Sequence, residues 1–201
     1  MIVFDGVDRA GKTSTRTWLA EKLKEEGDIV NQITTDSLIG NYIPSLFGHA
    51  PDEIVYMLFW QAIREADLTK IAPALERDET VIVDWYYLSN LAYDWWENLD
   101  NEFKSHMDEV YLDRCLRPDI MFLFTIPYEV FVERDDGDTV FNRSAFEAIQ
   151  CSYLWWGQQL TTERICNVVI IDGSLPQEEV YELVYNAVQS LEESVHETAD
   201  A

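Results

Sequence analysis

The sequence predicts an α/β fold, a parallel sheet covered by helices on both faces, and three observations carry that expectation. Apolar runs recur along the chain, stretches of helical composition separate them, and a glycine-containing loop joins the first run to the first helix. Met1 to Asp5 reads as a short buried strand that breaks at Gly6, and Thr13 to Glu26 has helical composition. Asp52 to Ala74 reads as a helix, with Ile54, Met57, Leu58, Ala62 and Ile63 at three- and four-residue spacing. Thr80 to Val83, Ile120 to Phe124 and Val168 to Ile171 are apolar on successive residues, the pattern of strands buried on both faces. Pro176 to Leu191 repeats Val180, Leu183, Val184 and Val188 and reads as the last helix. One domain is expected over 1–191. From 192 to 201 periodicity is lost and charge gained, so an acidic frayed tail is expected there.

Composition removes several classes of function. Of the 201 residues, 47% are hydrophobic and 13% aromatic, which excludes a disordered acidic segment. Lys and Arg number 14 against 38 Asp and Glu, and the net charge of −24 opposes non-specific attraction to nucleic acid or anionic lipid. Cys115, Cys151 and Cys166 are odd in number and lack CxxC spacing, so neither a disulfide framework nor a zinc site is indicated. No window of about 18 apolar residues exists and no basic leader precedes Ile2, so neither a membrane span nor a signal peptide is expected. The expected location is the cytoplasm, or the host cytoplasm if the source is viral.

The sharpest motif is Gly6-Val7-Asp8-Arg9-Ala10-Gly11-Lys12-Thr13, which satisfies GxxxxGK[ST] between the first strand and the first helix. Such a loop wraps phosphate oxygens with backbone N–H groups at a helix N-terminus, and the residues from Gly6 to Ser14 are the candidate ATP-binding set. Lys12 reaches the β and γ phosphates and Thr13 offers a hydroxyl to Mg²⁺. Asp84, just after the strand Val81 to Val83, is a second candidate metal ligand; the bland alternative is a helix cap or a turn. Arg134 and Arg143 bracket Asp135-Asp136-Gly137-Asp138, a stretch that suits a short lid over the nucleotide. Aromatic clusters at Trp85-Tyr86-Tyr87, Tyr93 to Trp96 and Tyr153 to Trp156 suit the core better than base stacking.

With these residues in place, the chain resembles the thymidylate kinase family over nearly its whole length. The stretch from Ile2 to Thr13 is similar to the family's opening strand and P-loop, with an arginine inside the loop as in eukaryotic-type members. Asp84-Trp85-Tyr86 with Leu88, Ser89, Ala92 and Tyr93 resembles the family's DRxxxSxxAYQ element, and Arg117-Pro118-Asp119 its approach to the next strand. Ile171 to Ser174, Pro176 and Glu178 to Val180 resemble the segment that passes under the adenine. The resemblance implies a P-loop kinase that uses ATP and Mg²⁺, with Arg9, Lys12 and Asp84 catalytic and Thr13 and Asp84 on the metal. It places Asp8, Phe59, Arg64, Trp85, Ser89 and Tyr93 around a thymine-like acceptor, and it admits a homodimer.

The departures fall on the acceptor side. The family's DR pair is Asp84-Trp85 here, Thr34-Thr35-Asp36-Ser37 lacks a second family arginine, and the base-reading arginine falls at Ile63 with Arg64 one place late. Two phosphate clamps are therefore missing, and an indole cannot replace a bidentate guanidinium. The favoured expectation is a hydroxyl acceptor, the hydroxymethyl group of 5-hydroxymethyl-deoxyuridine in phage DNA, as in the branch that hypermodifies thymine. The alternative is a dTMP kinase that makes dTDP from dTMP and ATP. A third reading is an ATP-binding module that transfers nothing.

Overall fold

A computed structural model describes residues 1–34, 49–92, 100–134 and 142–199, with the backbone alone described from 192 to 199. Five strands, β1 (Ile2–Gly6), β2 (Val30–Thr34), β3 (Thr80–Asp84), β4 (Ile120–Thr125) and β5 (Asn167–Asp172), form one parallel sheet in the order β2-β3-β1-β4-β5. Every residue of β1 and the first five of β4 are buried. Successive strand residues point to opposite faces, so unbroken burial requires helices on both.

One layer pairs α1 (Lys12–Glu26) with the terminal helix, named α8 below, and both pack on the strands. The other side holds α2 (Asp52–Ala66), the short α3 (Ala72–Leu75), α4 (Tyr87–Ala92) and α7 (Arg143–Thr162). Here Gly157 lets α7 approach the sheet, since a methyl at that position lies 3.1 Å from Leu123 and 3.3 Å from Val168 side-chain atoms. Two further helices, α5 (Asn101–Leu112) and α6 (Tyr128–Glu133), flank β4 in sequence. The terminal helix, α8 (Gln177–Ala199), buries Val180, Val184 and Val188 and stays helical well past Leu191, where the apolar period ends. Tyr86, Tyr87 and Tyr153 are core residues, as expected for large aromatics.

Two sequence expectations are corrected. The helix expected over Asp52 to Ala74 is interrupted by a π-helical turn, Asp67–Ile71. Its buried face is Val55, Tyr56, Trp60, Ala62, Ile63 and Ala66, which leaves Ile54 and Met57 exposed. The turn delivers Asp67 into the core, where its carboxylate accepts from the Tyr86 hydroxyl at 2.6 Å, Arg64 at 3.1 Å and the Leu116 amide at 3.2 Å. Second, β5 is an edge strand with Ile170 58% exposed, so its apolar run is not buried on both faces.

The topology sets the position of the site. In open parallel sheets, ligands bind beyond the carboxyl ends of the strands. β1 is central, so the loop after Gly6 opens between the ends of β3 on one side and β4 on the other.

Candidate phosphate-transfer site

The loop from Gly6 to Gly11 is held in a strained course by contacts on both flanks. Gly6 has φ +124°, and a Cβ there would sit 2.2 Å from the Phe124 carbonyl oxygen. Arg9 has φ 64°, and Gly11, the N-cap of α1, has φ 93° with no side chain to cap the helix. The Val7 amide donates to the Phe124 carbonyl at 3.3 Å, and Val7 and Ala10 are buried. Across the loop, Arg134 donates to the carbonyls of Arg9 at 2.9 Å and Gly173 at 3.0 Å. Gly173 lies so close to the loop that an added Cβ would meet the Ala10 oxygen at 2.0 Å.

The result is an anion cradle. The first-turn N–H groups of α1 have no intrahelical acceptors, and the uncapped Gly11 leaves them directed outward with the positive end of the helix dipole. The Lys12 ammonium lies within the loop, donating to the carbonyls of Gly6 at 2.7 Å and Val7 at 2.8 Å. Thr13 and Ser14 are exposed at the mouth, and the Ser14 hydroxyl bonds back to the Gly11 carbonyl.

Two cavities meet at the cradle. The larger, about 950 Å³, is lined by Asp8, Lys12 and Thr13 of the loop and by Thr34, Asp84 and Trp85 at the ends of β2 and β3. It also reaches Trp18 and Tyr181, whose rings stack at 4.5 Å. The smaller, about 320 Å³, lies toward β5 between Ala10, Ser14, Arg134, Gly173, Leu175 and Val180. Arg9 and Arg134 border both.

Most of the expected residues meet here, and some do not. Gly11, Lys12, Thr13, Asp84 and Trp85 share one cavity; Phe59 joins them through its ring, 5.1 Å from that of Trp85. Trp85 adopts φ 62°, which is costly for a bulky residue and is the kind of strain that collects at functional sites. Arg64 is turned away, its guanidinium held by Asp67 and the Arg114 carbonyl. Ser89 is fully buried, donating to Asp5 and paired with the Tyr153 hydroxyl at 2.8 Å. Arg143 is a surface residue paired with Glu129 and Glu147 and stacked on Tyr128, whereas Arg134 is at the loop. Tyr93 and the segment Asp135 to Asp138 lie outside the described residues.

Two groups have no motif to announce them. Arg16 contacts Asp84 at 3.4 Å and the Thr34 hydroxyl at 3.0 Å. Asp5, beneath the loop in β1, is fully buried and accepts from Ser89 and, at 3.3 Å, from the Tyr86 amide. Burial pushes its carboxyl up to about 7, with the Ser89 hydrogen bond and the nearby Lys12 charge opposing that rise. The unfolded value is near 4, so the neutral form's contribution to stability is full below pH 4 and is lost as the pH rises through 7. The stability of the wild type relative to Asp5→Asn is therefore expected to fall from about pH 4 to about pH 7 in urea unfolding and to level off above. Between about pH 4 and about pH 7 the slope is about 1.4 kcal/mol per unit, and a pH-independent difference would contradict it.

A phosphate cradle at the carboxyl edge of a five-stranded parallel sheet, with a lysine in the loop and a carboxylate on the adjacent strand, defines the P-loop class of phosphate-transfer proteins. The family model described as thymidylate kinase matches residues 4–184. A probable thymidylate kinase of Archaeoglobus fulgidus is 32% identical over 197 residues, covering 94% of this chain and 95% of that protein. A thymidylate kinase of Nitrosomonas eutropha is 29% identical over 203 residues, covering 94% and 91%. One of Cupriavidus necator is 31% identical over 139 residues, covering 66% and 68%. The chain belongs to the thymidylate kinase family and is an ATP-dependent phosphotransferase that uses Mg²⁺. No helix among the described residues is long and apolar enough to cross a membrane.

The donor set suits the metal. The Thr13 hydroxyl and the Asp84 carboxylate are hard oxygen ligands lining one cavity, the chemistry Mg²⁺ requires beside phosphate oxygens.

Proposed function

We propose that this kinase transfers the γ-phosphate of ATP to dTMP, forming dTDP. The family match and the named relatives support a nucleotide acceptor, and they give no support to the hydroxymethyl group of phage DNA, the acceptor favoured on sequence. One structural observation carries the reading. A small cavity toward β5 and a larger one that reaches β2 and β3 adjoin at the cradle, where they share Arg9, Gly11, Ser14 and Arg134, so donor base and acceptor each have space beside one phosphate site.

Each residue then has a task. Gly173 and Leu175 border the space for the adenine, and Arg134 braces the loop by bonding the Arg9 and Gly173 carbonyls. Lys12 and the first-turn amides of α1 hold the β and γ phosphates, and Arg9 offsets charge that develops on the transferred group. Trp85 and Phe59 form an aromatic wall for a pyrimidine, and Asp8 faces the acceptor sugar. Thr13 and Asp84 would hold Mg²⁺, which would supply charge neutralisation at the phosphates. The acceptor's phosphate oxygen attacks the γ-phosphorus as the bond to the β-bridging oxygen breaks, and ADP leaves. Positioning supplies most of the acceleration.

The test is ADP release in the presence of Mg²⁺ with dTMP or thymidine as acceptor. Stoichiometric dTDP from dTMP and no product from thymidine is expected. ADP release that does not depend on an acceptor would contradict the assignment.

A further inference from the structure

On the reading that the acceptor is a nucleoside monophosphate, we propose that Arg16 is the residue that holds its phosphate and sets the preference for a phosphorylated acceptor. Transfer between two phosphates brings two anionic groups together, so the acceptor side needs a cation as the donor side does. The donor side has Lys12 within the loop and Arg134 braced across it.

The large cavity toward β2 and β3 shares Arg9, Lys12 and Arg134 with the loop, and beyond those the supply is sparse. Residues 35–48, which follow β2, contain no lysine or arginine. Arg64 is committed to Asp67 and the Arg114 carbonyl, and position 85 is tryptophan. Arg16 is in place. It lies one turn beyond Lys12 on α1, at the spacing that puts two side chains on one helix face. From there its guanidinium reaches Thr34 and Asp84, which are register partners at the ends of β2 and β3 and both line the acceptor cavity.

The contacts leave donors over. The guanidinium touches Thr34 and Asp84 through one terminal nitrogen, and its Nε is buried with no hydrogen-bond partner among the described residues. The side chain is only 13% exposed. A buried guanidinium with an unused N–H is costly unless an acceptor completes it, and a phosphate monoester accepts two parallel N–H bonds from an arginine. A contact to Asp84 also keeps that carboxylate from repelling the incoming phosphate. Arg16 therefore acts as a specificity residue, with Asp84 as its anchor.

The experiment measures equilibrium binding of dTMP and thymidine to the wild type, Arg16→Gln and Arg16→Lys, together with dTDP formation and the KM for ATP. The wild type is expected to bind dTMP about 100-fold more tightly than thymidine, and Arg16→Gln to lose most of that ratio with the KM for ATP within about threefold. Arg16→Lys, which keeps the charge without the fork, should restore part of the ratio and shows that a loss is not a folding defect. If the wild type makes dTDP and Arg16→Gln keeps the ratio, the role given to Arg16 is overturned and the activity stands. If the wild type makes no dTDP but shows an Arg16-dependent preference for dTMP, the activity is overturned and Arg16 stands. Absence of both overturns both, and a parallel rise in the KM for ATP reassigns Arg16 to shaping the loop.

Discussion

Lys12→Ala is expected to lower the rate of phosphate transfer by about a thousandfold or more, because it removes the ammonium placed inside the cradle. Negative charge builds on the departing β-bridging oxygen as its bond to the γ-phosphorus breaks, and the Lys12 ammonium is the group held within the loop to meet it. Arg9 has a non-glycine left-handed backbone and lies over the Phe131 ring at 4.8 Å, and Arg134 is engaged with two carbonyls. ATP affinity should fall with the rate, since Lys12 contacts the phosphates in the ground state as well. The fold should survive, because the two hydrogen bonds that the Lys12 ammonium contributes go to carbonyls of the loop and not to the sheet pairing. Steady-state turnover and nucleotide titration, with a melting curve as control, check this. Unchanged turnover would remove Lys12 from the site.

Gly6→Ala should act on the fold itself. The residue ends β1 in register with Phe124 of β4, and a Cβ would fall 2.2 Å from the Phe124 oxygen, 2.7 Å from its nitrogen and 2.9 Å from its carbonyl carbon. All three atoms are backbone at the middle of the sheet and cannot swing aside. The φ of +124° adds a conformation that L-residues rarely adopt. Relief requires β1 to move away from β4, which breaks the central strand pairing and displaces the loop that follows. A loss above about 4 kcal/mol, or failure to fold, is expected from chemical denaturation. A melting temperature within a few degrees of the wild type would show that the strand ends are more yielding than their packing implies.

The parts of this molecule legible in its sequence are those set by local rules. β1, the loop and α1 follow from an apolar run, two glycines and a lysine at fixed spacing, and the structure places them as the motif requires. Asp84 could be placed because it directly follows an apolar strand, which puts it at the ligand edge of a parallel sheet. What could not be read depends on tertiary contacts. The π turn after α2 exists to bring Asp67 to Tyr86 and Leu116, partners 19 and 49 residues away. That turn fixes Arg64 to Asp67, and it is why a residue expected at the acceptor is turned inward. Ser89 likewise looked like an acceptor contact by resemblance, and its hydroxyl is consumed by Asp5 and Tyr153. Arg16 belongs to no motif, yet a signal was present: it stands four residues after the P-loop lysine, on the same helix face. The exposed side of β5 was hidden because an apolar run looks the same in an edge strand as in a central one.

The acceptor is the central question. γ-Labelled ATP and Mg²⁺ should be offered to the protein with dTMP in one reaction, DNA containing 5-hydroxymethyluracil in a second and unmodified DNA in a third. Label in dTDP, with none in either DNA, is the predicted result. Label in the modified DNA alone would contradict it and would make the large cavity beside Asp84 and Trp85 a pocket for a base drawn out of the duplex.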